Sequence, residues 1–292
     1  MRGELAALMA AFLWAVATVV FGRLGKSLSP LVLNLAKGAI ALVLLSLTLV
    51  LIGQSAAGLD RQAVSILALS GVIGIGLGDT AYFAAINHLG PRRALLLETL
   101  APPLAALLAL VFLQETLSGR AWLGIGLTLA GVVWVIAERA PGAAPGRADY
   151  RGVLYGVLAA LGQATGAVMS RAVLADTEVA PMWSSLLRLG GGFIIIVGIL
   201  RWQGLVVEQL RPLRSPKLLA GVALAAGFGT YLAIYLQQMA LKYTATGVAQ
   251  ALTSTSPLFV LPLAAVLGDR VSLRAVVGAV VALAGIGILV NG

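Results

Sequence analysis

The 292-residue chain contains no cysteine and a single histidine, His88. The absence of cysteine excludes disulfide bonds, thiolate metal centres, iron–sulfur clusters and lipid attachment through a thiol. A single histidine cannot form the clusters from which most structural zinc sites are built. We therefore predict that the protein uses neither a metal ion nor a cofactor.

Charged residues are also scarce, since Asp, Glu, Lys and Arg make up 11% of the chain whereas the residues AVILMFWYC make up 60%. Soluble domains carry about 25% charged residues. So low a charge content excludes a soluble enzyme, a disordered chain and a fibrous repeat. The apolar residues also form continuous runs, unlike the short alternating strands of a membrane β-barrel. The composition predicts an all-α integral membrane protein.

Ten apolar segments are long enough to cross a bilayer, which requires about 20 residues for each helix. These ten predicted transmembrane helices and their short connectors occupy the whole chain, so no extramembrane domain is expected. The spans are expected near Leu5–Phe21, Pro30–Ile52, Ala63–Ile86, Arg93–Leu113, Ala121–Ala137, Gly152–Arg171, Pro181–Leu200, Leu218–Leu241, Gly247–Leu267 and Leu273–Val290.

Short patterns occur twice along the chain. Pro30 is followed by Lys37 and Pro181 is followed by Arg188, with the same spacing of seven residues. The offset between matching positions drifts from 149 to 154 residues, which indicates a duplication with small insertions. Further matching pairs are Arg2 and Arg151, Pro103 and Pro257, Glu115 and Asp269, and Gly131 and Gly285.

The duplication divides the chain into two predicted repeats, residues 1–140 and 141–292, each with five spans. Five is an odd number, so the second repeat must enter the membrane in the opposite orientation to the first. Inverted repeats of this kind allow a protein to open a central site alternately to either side of the membrane.

The connectors carry an uneven distribution of Lys and Arg. Thirteen of these cations lie on the side opposite the N-terminus and five lie on the N-terminal side. Cytoplasmic loops are enriched in Lys and Arg. The distribution therefore predicts that both termini face away from the cytoplasm.

Several motifs together resemble the EamA-type drug/metabolite transporter superfamily. The motifs are Trp14 in the first span, Ser29-Pro30, Pro103 with Glu115-Thr116-Leu117-Ser118, Pro257 with Asp269-Arg270-Val271-Ser272, and Ala240-Leu241-Lys242-Tyr243-Thr244. The resemblance covers essentially the whole chain. It implies a secondary transporter, not an enzyme, that moves amino acids or similar small metabolites outward through a cavity between the two repeats.

The resemblance to bacterial exporters of this superfamily also implies a location in the bacterial inner membrane. The expected partners are a small-molecule substrate and membrane lipid, with no nucleic acid, and a monomer is favoured over a dimer. The alternatives are a multidrug or nucleotide-sugar carrier of the same superfamily and, from another class, a lipid-modifying enzyme. The small multidrug-resistance relatives carry an essential glutamate in their first span, where this chain has Trp14 and Thr18, and no clustered acid–base set suggests an enzyme.

Four ionisable residues fall within the predicted spans: Lys37, Asp79, Glu98 and Arg188. A charge at the centre of a bilayer costs about 2.5–3.5 kcal/mol on insertion scales, so each of these residues requires a partner or a function. Pairing with a neighbouring helix and coupling of transport to an ion are both open.

Helical spacing groups the uncharged polar residues into stripes. Tyr231, Tyr235 and Gln238 share one face of the eighth span, and Gln250 and Ser254 share one face of the ninth. Amide and hydroxyl groups suit the polar end of a zwitterion, and aromatic faces suit a cation. The predicted cavity residues are Trp14, Thr18, Tyr82, Glu98, Gln163, Tyr231, Tyr235, Gln238, Gln250 and Ser254.

Overall fold

The computed structural model of the protein describes residues 1–136, 150–204, 209–256, 258–259 and 273–291. All regular elements in these residues are helical, and no β-strand occurs among them, which confirms the predicted all-α fold. The helices are Arg2–Leu24, Pro30–Ile52, Arg61–Gly71, Val72–Asp79, Thr80–Leu89, Pro91–Glu98, Ala101–Phe112, Gly119–Ile136, Tyr150–Leu174, Pro181–Trp202, Arg211–Arg214, Pro216–Ala226, Gly227–Leu232, Ala233–Tyr243, Thr246–Thr253 and Leu273–Asn291.

These helices form the ten spans of an integral membrane protein. Six described helices are long and apolar enough to cross a bilayer by themselves, including the continuous third span Arg61–Leu89 and eighth span Pro216–Tyr243. The fourth span is divided into two helices, and the described part of the ninth is mainly Thr246–Thr253. The predicted repeat boundary at 140/141, together with Pro257 and Asp269, lies outside the described residues.

Local sequence signals explain where the helices begin. Ser29 precedes the second span, and its hydroxyl accepts a hydrogen bond of 3.4 Å from the backbone N–H of Val32, with Pro30 in the first turn. The Asp60 carboxylate accepts a bond of 2.7 Å from the N–H of Ala63 at the start of the third span. Such N-caps satisfy backbone donors that the first helical turn leaves without partners.

The third and eighth spans each contain a π-helical segment, at Val72–Asp79 and Gly227–Leu232. The two segments occupy matching positions in the two repeats. In the third span, the Asn34 side-chain amide donates to the carbonyl of Ile75 at 2.8 Å and to the Thr80 hydroxyl at 2.9 Å. Regular α-helices were expected from the sequence at both places; the wider turns instead rotate the residues that follow them around the helix axis.

The fifth and tenth spans pack together through small residues. A Cβ atom on Gly131 would lie 2.5 Å from the carbonyl oxygen of Gly278, and a Cβ atom on Gly285 would lie 2.5 Å from the backbone nitrogen of Thr128. Gly131 and Gly285 are matching positions of the two repeats, so each repeat makes the same close contact with the other. This reciprocal packing is expected of two inverted copies of one unit.

Glycines of the third span bring the two repeats together near the centre. A Cβ atom on Gly71 would lie 1.7 Å from the backbone carbonyl oxygen of Arg188 in the seventh span. On another face, Gly78 lies against the backbone of Ala159 and Gln163 in the sixth span. The absence of side chains at these positions allows the helix backbones to touch.

Candidate functional site

A narrow central cavity with about 70 Å³ of water-accessible space, partly open to the outside, lies between the two repeats. Its walls come from the first, third, fourth, sixth, seventh, eighth and ninth spans, so both repeats contribute to it. Transporters built from inverted repeats bind their solutes between the repeats. The cavity therefore has the position of a solute-binding site, and in this arrangement it is smaller than the roughly 300–1,000 Å³ that small-molecule sites typically enclose.

Many of the polar residues that the sequence singled out line this cavity. They are Trp14, Asp79, Glu98, Gln163, Arg188, Gln250 and Ser254. Their roles in binding remain predictions, but the structure brings them together from six different spans. The amide nitrogen of Gln250 is buried and has no hydrogen-bond partner among the described residues, which leaves a donor beside the cavity.

Other predicted residues lie behind the cavity wall. Tyr82 is 2% exposed and packs against the ring of Trp14 with a centroid separation of 5.8 Å. Thr18 is fully buried in the first span. Lys37 also lies outside the lining. These residues support the wall and are not placed to contact a solute in this arrangement.

The predicted stripe of the eighth span does not face the cavity either. Tyr231 packs against the second span, and its hydroxyl lies 2.8 Å from that of Thr48. Tyr235 packs against the same cluster of apolar residues as Tyr231, most of which belong to the second and seventh spans. The buried Gln238 side-chain oxygen accepts a bond of 2.8 Å from the Ser184 hydroxyl of the seventh span. A different stripe of the eighth span, one that includes Gln237, lines the cavity.

Four polar residues of the lining were not predicted from the sequence: Thr99, Gln237, Thr253 and Ser256. Thr253 follows Gln250 by three residues, so the spacing used for Gln250 and Ser254 could also have indicated it. Gln237 could not be found in this way, because it does not share the polar face on which the neighbouring Gln238 was grouped.

Lys37 and Asp79 form an ion pair with an Nζ–Oδ2 distance of 2.5 Å. The Lys37 side chain is fully buried and its ammonium lies 5.3 Å from the ring centre of Phe83, while the Asp79 side chain is 17% exposed and reaches the cavity. A buried charge is tolerated in a membrane helix when it is paired with an opposite charge. Asp79 therefore neutralises Lys37 at the edge of the cavity.

Arg188 is 1% exposed, yet its side chain lines the cavity. Two of its guanidinium nitrogens, Nε and Nη1, have no hydrogen-bond partner among the described residues. The guanidinium occupies a space left by glycines, because Cβ atoms on Gly74 and Gly166 would lie 3.0 and 3.1 Å from its Nη2 atom. Asp79 is within electrostatic range of Arg188.

Glu98 lies at a break in the fourth span. The first helix of this span ends at Glu98, the second begins at Ala101, and Pro102 stands in its first turn. The Glu98 side chain lies beside the indole of Trp14 and within electrostatic range of Asp79. The cavity thus contains a carboxylate next to an aromatic ring.

A polar network joins the two repeats at the end of the molecule where the N-terminus lies. Arg171 donates from Nε to Glu115 at 2.6 Å and from Nη1 to the carbonyls of Leu241 and Lys242 at 2.8 Å each. The other Glu115 oxygen accepts a bond of 2.9 Å from the N–H of Thr246, at the start of the ninth span. Of these contacts, the two made by Glu115 cross between the repeats, so a separation of the repeats on this side would break them.

Comparison with known proteins identifies the chain's relatives. The model of the EamA-like transporter family matches residues 1–137 and, a second time, residues 150–291. No curated protein matches the chain significantly. Twenty-nine chains of solved structures match it; one, described only as "Crystal structure of protein", is 17% identical, covers 98% of this chain and 95% of its own, and has a TM-score of 0.76. At this identity the likeness establishes the fold alone.

Proposed function

The chain belongs to the EamA-like transporter family, and from this premise we propose that it is a secondary transporter that exports amino acids or similar small zwitterionic metabolites. The observation that carries the proposal is the composition of the central cavity, which holds a carboxylate, Glu98, and a guanidinium, Arg188, together with the indole of Trp14. A carboxylate and an aromatic face can bind an ammonium group, and a guanidinium can bind a carboxylate.

Alternating access between the two repeats is the mechanism that this architecture supports. The cavity lies between inverted units, which can rock against each other around a central site. The network of Arg171 and Glu115 holds the repeats together at the N-terminal end. In the proposed cycle this network forms when that end is closed and breaks when it opens.

The remaining charges of the cavity region weigh against a polyanionic substrate such as a nucleotide sugar. Lys37 is already neutralised by Asp79, so the region does not offer two uncompensated cations. A drug antiporter would depend on protonation of Glu98. Strong dependence of transport on Glu98 and on a proton gradient would favour that alternative.

The test is a flux assay with the purified full-length protein in proteoliposomes. A panel of neutral, acidic, basic and aromatic amino acids is offered as radiolabelled solutes, with and without an imposed proton gradient. We expect transport of at least one amino acid above the level of protein-free liposomes. Transport of no amino acid on the panel, by protein that remains folded, would overturn the substrate class.

We further propose that the protein is a monomer in the bacterial inner membrane with both termini outside the cytoplasm. The argument for this orientation is the excess of loop cations on the side opposite the N-terminus. A reporter that is active only in the cytoplasm should give little signal when fused to the C-terminus. A strong signal from that fusion would reverse the orientation.

A further inference from the structure

Lys37 and Arg188 occupy the same position in the two repeats, seven residues after Pro30 and Pro181, but their surroundings differ. Lys37 has a carboxylate partner from the third span of its own repeat, Asp79. The eighth span is the counterpart of the third, as the matching π-helical segments show. An equivalent partner for Arg188 would therefore be expected on the eighth span.

The eighth span has no such carboxylate. The residues that lie 153 to 155 positions after Asp79 are Leu232, Ala233 and Ile234, and Pro216–Tyr243 contains neither Asp nor Glu. Ala233 and Ile234 instead form part of the cavity wall. The second repeat therefore contains the cation, Arg188, but at the position that corresponds to Asp79 it has part of the cavity wall in place of a carboxylate.

The guanidinium of Arg188 is a strong donor group without sufficient acceptors. It is nearly fully buried, and its Nε and Nη1 atoms lack hydrogen-bond partners among the described residues. Leaving buried charged donors unsatisfied is costly, so such a group is expected to have an acceptor in some state of the protein. Asp79 lies nearby, but its Oδ2 atom is bonded to Lys37.

The geometry points to a carboxylate as the missing acceptor, and we propose that Arg188 binds the carboxylate group of the transported solute. A guanidinium presents paired N–H groups that match the two oxygens of a carboxylate. Lys37, Asp79, Glu98 and Arg188 together carry two positive and two negative formal charges, so binding of a zwitterionic solute leaves the net charge of the region unchanged. Gly74 and Gly166 leave the space in which the guanidinium lies. This inference rests on the proposed function and adds the group that selects the solute.

The inference predicts that the protein distinguishes a carboxylate from the corresponding amide. Binding of L-leucine and L-phenylalanine to the full-length protein in nanodiscs is compared with binding of leucinamide and phenylalaninamide, by calorimetry and by the fluorescence of the tryptophans. Because the amide cannot form the charge-assisted pair, its affinity should be about 10- to 100-fold lower than that of the amino acid. The variant Arg188→Gln should remove this preference, and Arg188→Lys should retain part of it.

Two further variants separate binding from folding. Arg201→Gln removes a cation from the exposed end of the same helix and should leave the preference unchanged. Gly74→Ala adds a methyl group 3.0 Å from Nη2 of Arg188. It should therefore weaken the binding of the amino acids more than the binding of the amides. Thermal unfolding of each variant identifies protein that is not folded, and Gly74→Ala and Arg188→Lys test the inference if Arg188→Gln proves unstable.

The panel also includes succinate and benzoate, which carry carboxylates but no ammonium group. If the protein binds these and not the amino acids, and Arg188→Gln abolishes that binding, the proposed amino-acid specificity fails while the role of Arg188 stands. If folded wild-type protein binds amides as tightly as amino acids, or binds none of these carboxylates, the role of Arg188 is overturned. The role of Arg188 is also overturned if a folded Arg188→Gln variant prefers the amino acids to the amides as strongly as the wild type does.

Discussion

Lys37 in the second span and Arg188 in the seventh span are matching cations of two inverted repeats, but their surroundings differ. Lys37 is fully buried behind the cavity wall and forms an ion pair with Asp79. Arg188 lines the cavity, and two of its nitrogens lack partners among the described residues. If Arg188 binds the solute as proposed, one repeat serves as structural support while its copy supplies a binding group. The following predictions test this asymmetry, in order of decreasing effect.

The largest effect is expected from Asp79→Asn, because it leaves the fully buried ammonium of Lys37 without its counter-charge. Removing one partner of a buried ion pair costs about 3–5 kcal/mol of stability. The thermal unfolding temperature in detergent should fall markedly. The double variant Lys37→Met with Asp79→Asn should recover most of the loss. An Asp79→Asn variant as stable as the wild type would show that the pair is not needed for folding.

The next effect concerns the contact that positions Arg188. Gly71→Ala would place a methyl group 1.7 Å from the backbone carbonyl oxygen of Arg188, so the third and seventh spans would have to separate. Overpacking of this kind costs about 1–3 kcal/mol, and occasionally more. The matched control is Gly190→Ala, since a Cβ atom on Gly190 has no neighbour within 4 Å. Equal unfolding temperatures for the two variants would contradict the prediction.

A smaller effect is expected when the contact between the repeats at the N-terminal end is weakened. Because the protein has no cysteine, Ser254→Cys introduces a single thiol into the cavity. In that background, Glu115→Gln should increase labelling by a membrane-impermeant thiol reagent added from the N-terminal side about two- to tenfold, because it weakens charged bonds to Arg171 and Thr246.

The control for this labelling experiment is Glu178→Gln, an exposed residue of the connector between the sixth and seventh spans on the same side. It should not change the rate. Equal labelling of the Glu115 and Glu178 variants would show that the network does not restrict access to the cavity.

The smallest effect is expected from Ser184→Ala, which removes the hydrogen bond between the seventh span and Gln238. The loss of one neutral hydrogen bond costs about 0.5–1.5 kcal/mol. Ser185→Ala is the matched control, because among the described residues the Ser185 hydroxyl bonds within its own helix, to the carbonyl of Pro181. The Ser184 variant should unfold at the lower temperature, and the opposite order would argue against this bond as a support of the cavity wall.

Much of the architecture could be predicted from the sequence, because crossing a bilayer imposes a length and an apolar composition on each helix. The duplicated spacing of Pro30 with Lys37 and Pro181 with Arg188 indicated two related halves, and the family model matches the chain twice. Glu98 was singled out as an ionisable residue within a predicted span, and it lies where the fourth span divides. These signals depend on short stretches of the chain, so they can be recognised without knowledge of how the helices pack.

The orientation of side chains within the spans was predicted less well. Tyr231, Tyr235 and Gln238 were placed on the cavity by assuming a regular α-helix, whereas they face the second and seventh spans. Tyr235, Gln237 and Gln238 lie in one regular helix, Ala233–Tyr243. Polar content selected the stripe with Tyr235 and Gln238, whereas packing turns the face with Gln237 towards the cavity.

The sequence by itself determined that the protein lies in a membrane, how many times it crosses, and that its halves are related, because these properties follow from composition and spacing. Only the tertiary structure decided that Lys37 has Asp79 as its partner while Arg188 faces the cavity. The two cations look equivalent along the chain. What separates them is a carboxylate on a neighbouring helix, and which helices become neighbours is decided by packing between distant parts of the chain.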